Sequence, residues 1–110
     1  MPNRAPAVAG QFYPAAPDKL RSTVARCLDE AATVPAPDRV SAIIAPHAGY
    51  PYSGPTAGWA FRRLQGMSPR RVILLGPSHH YRFRGLSLYP GEAFQTPLGD
   101  ISVDRAFVAA

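Results

Sequence analysis

The sequence predicts an α/β fold, a partial sheet with flanking helices, and three observations carry that expectation. Two short aliphatic runs, residues 40–45 (VSAIIA) and 71–76 (RVILLG), show little polar alternation, as strands buried on both faces do. Between them lies a stretch with apolar residues at helical spacing. The order is therefore strand–helix–strand, which gives a parallel pair joined by a right-handed crossover. Finally, each run is followed at once by a loop that carries histidine: Pro46-His47-Ala48-Gly49 after the first, Pro77-Ser78-His79-His80 after the second.

The remaining elements follow in chain order. Residues 1–16 hold Pro2, Pro6, Gly10 and Pro14 without a period and read as an extended lead-in. Pro17 and Asp18 open a helix with Leu20, Val24, Cys27, Leu28 and Ala31 along one side, and Pro35 and Pro37 close it. After the first histidine loop, Pro55 suits the first turn of a second helix, capped by Ser53 or Gly54, that turns Ala57, Ala60, Phe61 and Leu64 inward. Gly66 to Pro69 break it. Residues 85–89 suit a third strand, 94–100 a turn and 101–103 a short strand, after which Asp104 can cap a helix beginning at Arg105. Parallel strands need cover on both faces, and two helices with two or three strands close such a core poorly. The 110 residues are therefore expected to form one part of a larger single domain, truncated here.

Composition narrows the classes. With 46% hydrophobic and 17% charged residues the chain has the balance of a globular protein. It holds no apolar run near the ~20 residues a membrane span needs and no signal-peptide core. A cytoplasmic location without a membrane partner is the expectation. The single cysteine, Cys27, rules out an intramolecular disulfide and, sharing a helix face with Leu20, Val24 and Leu28, reads as a small buried apolar residue. The net charge of +5 comes almost wholly from arginine, Lys19 being the only lysine. The arginines are scattered and no aromatic stacking pattern is interleaved with them, so a solvated surface is expected and no nucleic-acid partner.

If the two aliphatic strands are neighbours, their ends lie about 5 Å apart. His47 and His79 then sit at the carboxyl ends of adjacent parallel strands, where open α/β sheets place their ligand sites. Two imidazoles converging on one crevice can bind a first-row transition metal. A lone loop histidine is more often a surface or hydrogen-bonding residue, and spacing does not separate His79 from His80. Tyr50, Tyr52, Ser53 and Thr96 are further pocket candidates, although packing explains the tyrosines and a helix cap explains Ser53 as simply. No nucleophile elbow, phosphate-binding loop or dinucleotide fingerprint is present.

Several segments together resemble the Memo family, whose bacterial and archaeal members are called AmmeMemoRadiSam system protein B. They are Arg4 with Val8-Ala9-Gly10-Gln11-Phe12-Tyr13-Pro14, then Ala42-Ile43-Ile44-Ala45-Pro46-His47-Ala48-Gly49-Tyr50 with Tyr52-Ser53-Gly54. Downstream come Leu75-Gly76-Pro77-Ser78-His79-His80 and Thr96-Pro97-Leu98-Gly99-Asp100. Each is weak alone; their order and joint occurrence are specific. The resemblance implies a fold similar to the extradiol, class III non-haem iron dioxygenases. It implies His47 and the first histidine of Ser-His-His, His79, as two ligands of a mononuclear metal, and Phe12 at the pocket's border. The family's third ligand is a later cysteine to which Cys27 does not correspond, so the third ligand is absent from this chain.

Two imidazoles and a soft thiolate suit iron or copper, with positions open for a small molecule or oxygen. The same motifs suit a non-catalytic module that binds a peptide or small ligand, so they do not decide whether the protein is an enzyme.

Overall fold

The computed structural model describes residues 2–31 and 39–110. Its architecture is α/β: helix α1 (Pro17–Glu30), helix α2 (Tyr50–Phe61) continued by a 3-10 turn (Arg62–Leu64), an antiparallel hairpin of β1 (Ala93–Thr96) and β2 (Gly99–Ser102), and a last short helix α3 (Arg105–Val108).

Helix α1 begins where expected. Pro17 supplies a φ suited to the first helical position and has no N–H to leave unpaired. Asp18 places a negative charge in the first turn and also meets Arg21 at 3.1 Å. Leu20, Cys27 and Ala31 are buried along one face, with Val24 and Leu28 half-buried beside them. Cys27 is a free, buried thiol in this contact, as its position on the face anticipates. The helix ends at Ala31; the prolines expected to close it, Pro35 and Pro37, lie outside the described residues. Its carboxyl end gains a cation from the other helix, because Arg62 donates to the Leu28 carbonyl at 2.8 Å.

Helix α2 starts earlier than the sequence suggests. Gly49 is its cap and Tyr50 its first residue, with Pro51 in the first turn, where a missing N–H costs nothing. Pro55 therefore lies inside the helix, where it cannot donate to the Pro51 carbonyl. Ser53 is not the cap: its N–H bonds the Gly49 carbonyl and its hydroxyl donates to the Ala48 carbonyl at 3.1 Å. The face expected to turn inward does so only in part: Ala57, Ala60 and Leu64 are half-buried. Gly54 and Gly58 are the buried residues of α2, and Phe61 is exposed. A Cβ at Gly58 would stand 2.8 Å from the Cys27 carbonyl carbon and closer still to its oxygen, while one at Gly54 would stand 3.2 Å from the Cys27 sulfur. Two glycines four apart thus let the α2 backbone approach α1 at the residue where α1 itself is small.

The two aliphatic runs behave differently from expectation. Residues 40–45 and 71–76 form no strand, nor do residues 85–89. Ile44 is 98% exposed and Leu74 88%. A parallel strand buried on both faces is stable only with neighbours and covering layers, and the described residues supply none for these runs.

The strands that do form lie downstream: β2 takes in Ile101 and Ser102 of the expected 101–103 strand, and the turn is narrower than 94–100. Only Pro97 and Leu98 connect β1 to β2, with Ala93 opposite Ser102 and Thr96 opposite Gly99. Gly99 has φ of +127°, which a side chain would resist, and the Thr96 hydroxyl both accepts from the Leu98 N–H and donates to the Gly99 carbonyl. The chain start joins this hairpin. Arg4 donates to the Ala93 carbonyl at 2.9 Å and accepts from the Gln95 N–H at 2.8 Å, a parallel bridge to β1.

Asp104 caps α3 as anticipated, accepting from the Phe107 N–H at 3.0 Å. Its other oxygen meets Arg71 at 2.7 Å, and that guanidinium lies over the Phe107 ring. The Phe107 N–H, then the Arg71 hydrogen bond, hold the Asp104 carboxyl below its ordinary value. A lowered folded-state value means the contribution is present above the unfolded carboxylate range and is lost as pH falls through the folded value. We expect the Phe107 amide to lose hydrogen-exchange protection only on acidification below the usual carboxylate range. Asp104→Asn should remove that pH dependence; protection unchanged at acid pH in the parent protein would refute the assignment.

Candidate functional site

The loops that follow the two aliphatic runs converge although the runs make no ladder. His47 Nε2 lies 3.2 Å from His79 Nε2, with the two rings 5.3 Å apart between centroids and inclined at 46°. Local hydrogen bonds shape the loop beside each ring. On the His47 side, Ala48 receives the Ser53 hydroxyl, and the Tyr50 N–H donates to the Phe12 carbonyl at 2.7 Å. Gly49, buried, packs against that same Phe12 backbone. On the His79 side, Ser78 closes a small turn: its hydroxyl donates to the Tyr81 carbonyl at 2.6 Å and accepts from the Tyr81 N–H at 3.3 Å. Both histidines are exposed.

Two ring nitrogens facing each other at this distance need something positive between their lone pairs. A proton on one ring gives a hydrogen bond. A metal ion held by both is the other solution: nitrogens each about 2.0–2.1 Å from one ion, at tetrahedral to octahedral angles, stand roughly 2.9–3.4 Å apart. The observed separation fits that range, and imidazole is an apt donor for iron and copper.

The other candidates divide. His80 meets His79 edge-on with centroids 6.5 Å apart, whereas the nitrogen 3.2 Å from His47 is that of His79. Thr96 spends its hydroxyl within the β1–β2 turn. Tyr52 is 88% exposed. Phe12 and Tyr50 line a separate cleft of about 940 Å³ with Tyr13, Pro51 and Cys27, and the histidines are not among its walls. Tyr50 stacks obliquely on Tyr13 at 5.8 Å, and its phenol is held above its ordinary value, first by burial and then by Cys27 and Tyr13. Among the described residues no group of three or more His, Cys, Asp or Glu side chains gathers at one point to hold a metal ion. No helix there is long and apolar enough to cross a membrane.

The sequence pattern of the Memo-like protein family matches residues 4–110. The chain belongs to the Memo family. It is 37% identical to a MEMO1 family protein of Methanopyrus kandleri over 115 residues, an alignment covering 97% of this chain and 41% of that one. It is 40% identical to Protein MEMO1 of Danio rerio over 101 residues, covering 92% of this chain and 33% of that protein. A MEMO1 family protein of Aquifex aeolicus is 38% identical over 103 residues, with 36% of its length covered. This Memo-family chain thus spans 33–41% of the length of these curated relatives.

Sequence reasoning missed Gly49, Gly54 and Gly58 as the residues on which this region is assembled. The Gly54/Gly58 spacing was a readable signal, since small residues four apart mark a close helix approach. The Arg71–Asp104 pair had no such signal, because its partners lie 33 residues apart in irregular segments.

Proposed function

We propose that this Memo-family chain supplies two ligands, His47 and His79, to a mononuclear iron or copper site of redox or oxygen-linked chemistry. The fold we infer for the whole domain is similar to that of the extradiol, class III dioxygenases, as the family motifs imply. The observation that carries the reading is the 3.2 Å approach of the two Nε2 atoms. A third ligand has to come from beyond the described residues, and a thiolate would suit either metal. A bound metal of this kind would supply Lewis acidity and a redox couple. The chain's own residues do the positioning: the Ser53 and Tyr50 bonds fix the His47 loop, and the Ser78–Tyr81 turn fixes His79. Phe12, whose carbonyl receives the Tyr50 N–H, ties the lead-in to that loop.

An anaerobic Fe(II) titration tests the reading. The parent chain should bind one equivalent, weakly, because the site is incomplete. His47→Ala should weaken binding by on the order of a hundredfold or more, since loss of a group that merely supports a ligand already costs about 10–100-fold. Equal binding by both proteins, or none by the parent for either Fe(II) or Cu(II), would sink it.

A second reading has its own observation. The cleft walled by Phe12, Tyr13, Tyr50 and Pro51 is aromatic and large enough for a small ligand or peptide segment. A module that binds such a ligand without chemistry would do so equally well in the presence of a chelator.

A further inference from the structure

The cleft between the lead-in and the two main helices has walls of two kinds. On one side stand the Phe12, Tyr13 and Tyr50 rings with Pro51 and Pro55. Proline and tyrosine side chains lose little conformational freedom when a ligand covers them, so this wall is a prepared apolar surface. On the other side α1 presents Lys19 and Arg26, about two turns apart, with Glu30 beyond them. Arg26 and Glu30 offset one another at 3.8 Å. The Lys19 side chain has no hydrogen-bond or ion-pair partner among the described residues. The charged walls therefore sum to one positive charge, carried by Lys19. Tyr50 adds a donor: burial, then the neighbouring Cys27 and Tyr13 groups, raise its phenol, which keeps its proton at neutral pH. Neither that hydroxyl nor the Tyr13 hydroxyl is bonded to another described residue.

We propose that this cleft binds a small aromatic carboxylate, with its ring against Tyr13 and Tyr50 and its carboxylate at Lys19. The inference rests on the cleft's being a ligand site, as in the second function above, and adds the chemistry of the ligand. The two tyrosine rings lie 5.8 Å apart and inclined to each other, and flat rings pack well against such offset faces. At about 940 Å³ the cleft has room for two fused rings. A cationic ligand would be repelled by Lys19, and a neutral one would shield the ammonium from water without giving it a partner. A carboxylate accepts from the ammonium and from phenol hydroxyls alike.

Calorimetric titration of the parent chain in chelator tests this, with naphthoate, its uncharged counterpart naphthamide, and octanoate as probes. Naphthoate should bind tightest of the three, and more weakly as salt is raised. Lys19 is exposed, so Lys19→Gln should keep the helical circular dichroism of the parent. It should weaken naphthoate binding about tenfold and leave naphthamide unchanged, and Lys19→Arg should restore most of the loss. Arg70→Gln, which removes the same charge at an exposed position outside the cleft, should have little effect. Naphthamide binding as tightly as naphthoate, or naphthoate binding that Lys19→Gln leaves intact, would overturn the carboxylate assignment while the cleft stays a ligand site. Octanoate binding tighter than naphthoate would overturn the aromatic one. Binding of none of the probes would overturn the cleft as a ligand site and the inference with it. The double variant His47→Ala, His79→Ala should bind naphthoate as the parent does; loss of binding there would move the ligand to the histidines and refute the assignment.

Discussion

Gly58→Val should separate the two main helices. The added side chain would drive a carbon into the Cys27 carbonyl of α1, an obstacle made of backbone, which cannot swing aside as a flexible side chain can. Overpacking in ordinary cores costs about 1–3 kcal/mol, and a backbone obstacle puts this substitution at the upper end or beyond. The helix pair holds most of what is buried, Leu20, Cys27 and Ala31 on α1 against Gly54 and Gly58 on α2, so little else would hold α1 in place. The expected result is a large fall in the helical melting temperature, followed by circular dichroism. Gly76→Ala is the matched control, since nothing lies within 4 Å of a Cβ there and its φ is not positive. A Gly58→Val protein that melts with the parent would show that the helices do not cross where described.

The second large effect separates neighbours. His79→Ala should abolish the Fe(II) binding proposed for the pair, whereas His80→Ala should change it by about twofold or less. The reason is geometric. His79 aims Nε2 at His47 Nε2 across 3.2 Å, while His80 stands edge-on to His79 with ring centres 6.5 Å apart. Loss of a direct ligand removes a bond to the metal, and loss of an exposed neighbour removes at most a through-space influence. Side-by-side anaerobic titrations would decide it, and a reversed order, with His80→Ala the more damaging, would move the second ligand by one residue.

How much of this was legible in the sequence depends on whether the determining interactions are local. Helix α1 was readable because Pro17, Asp18 and the spacing from Leu20 to Ala31 act within a few residues. The Asp104 cap was readable for the same reason. The start of α2 was not: Pro55 is a good first-turn residue, but Pro51 is another, and Phe12, far away in sequence, accepts the Tyr50 N–H and anchors the earlier start. Residues 40–45 and 71–76 failed as strands because strand formation depends on neighbours, which periodicity within the run does not report. His47 and His79 do approach each other, although the strand pairing from which their convergence was expected does not form. Spacing left His79 and His80 equivalent. The family motif favoured His79, whose Nε2 lies 3.2 Å from that of His47.

The bridge from Arg4 to β1 has a consequence for the order in which the molecule assembles. Its two hydrogen bonds join residues at opposite ends of the described chain. On a ribosome adding about 5–20 residues per second, the stretch around Arg4 waits several seconds before Ala93 and Gln95 exist to receive it. Helices α1 and α2 can meet well before then. Early synthesis therefore yields a helical hairpin with a loose leading segment, and the hairpin of β1 and β2 captures that segment only as the last of these residues emerge.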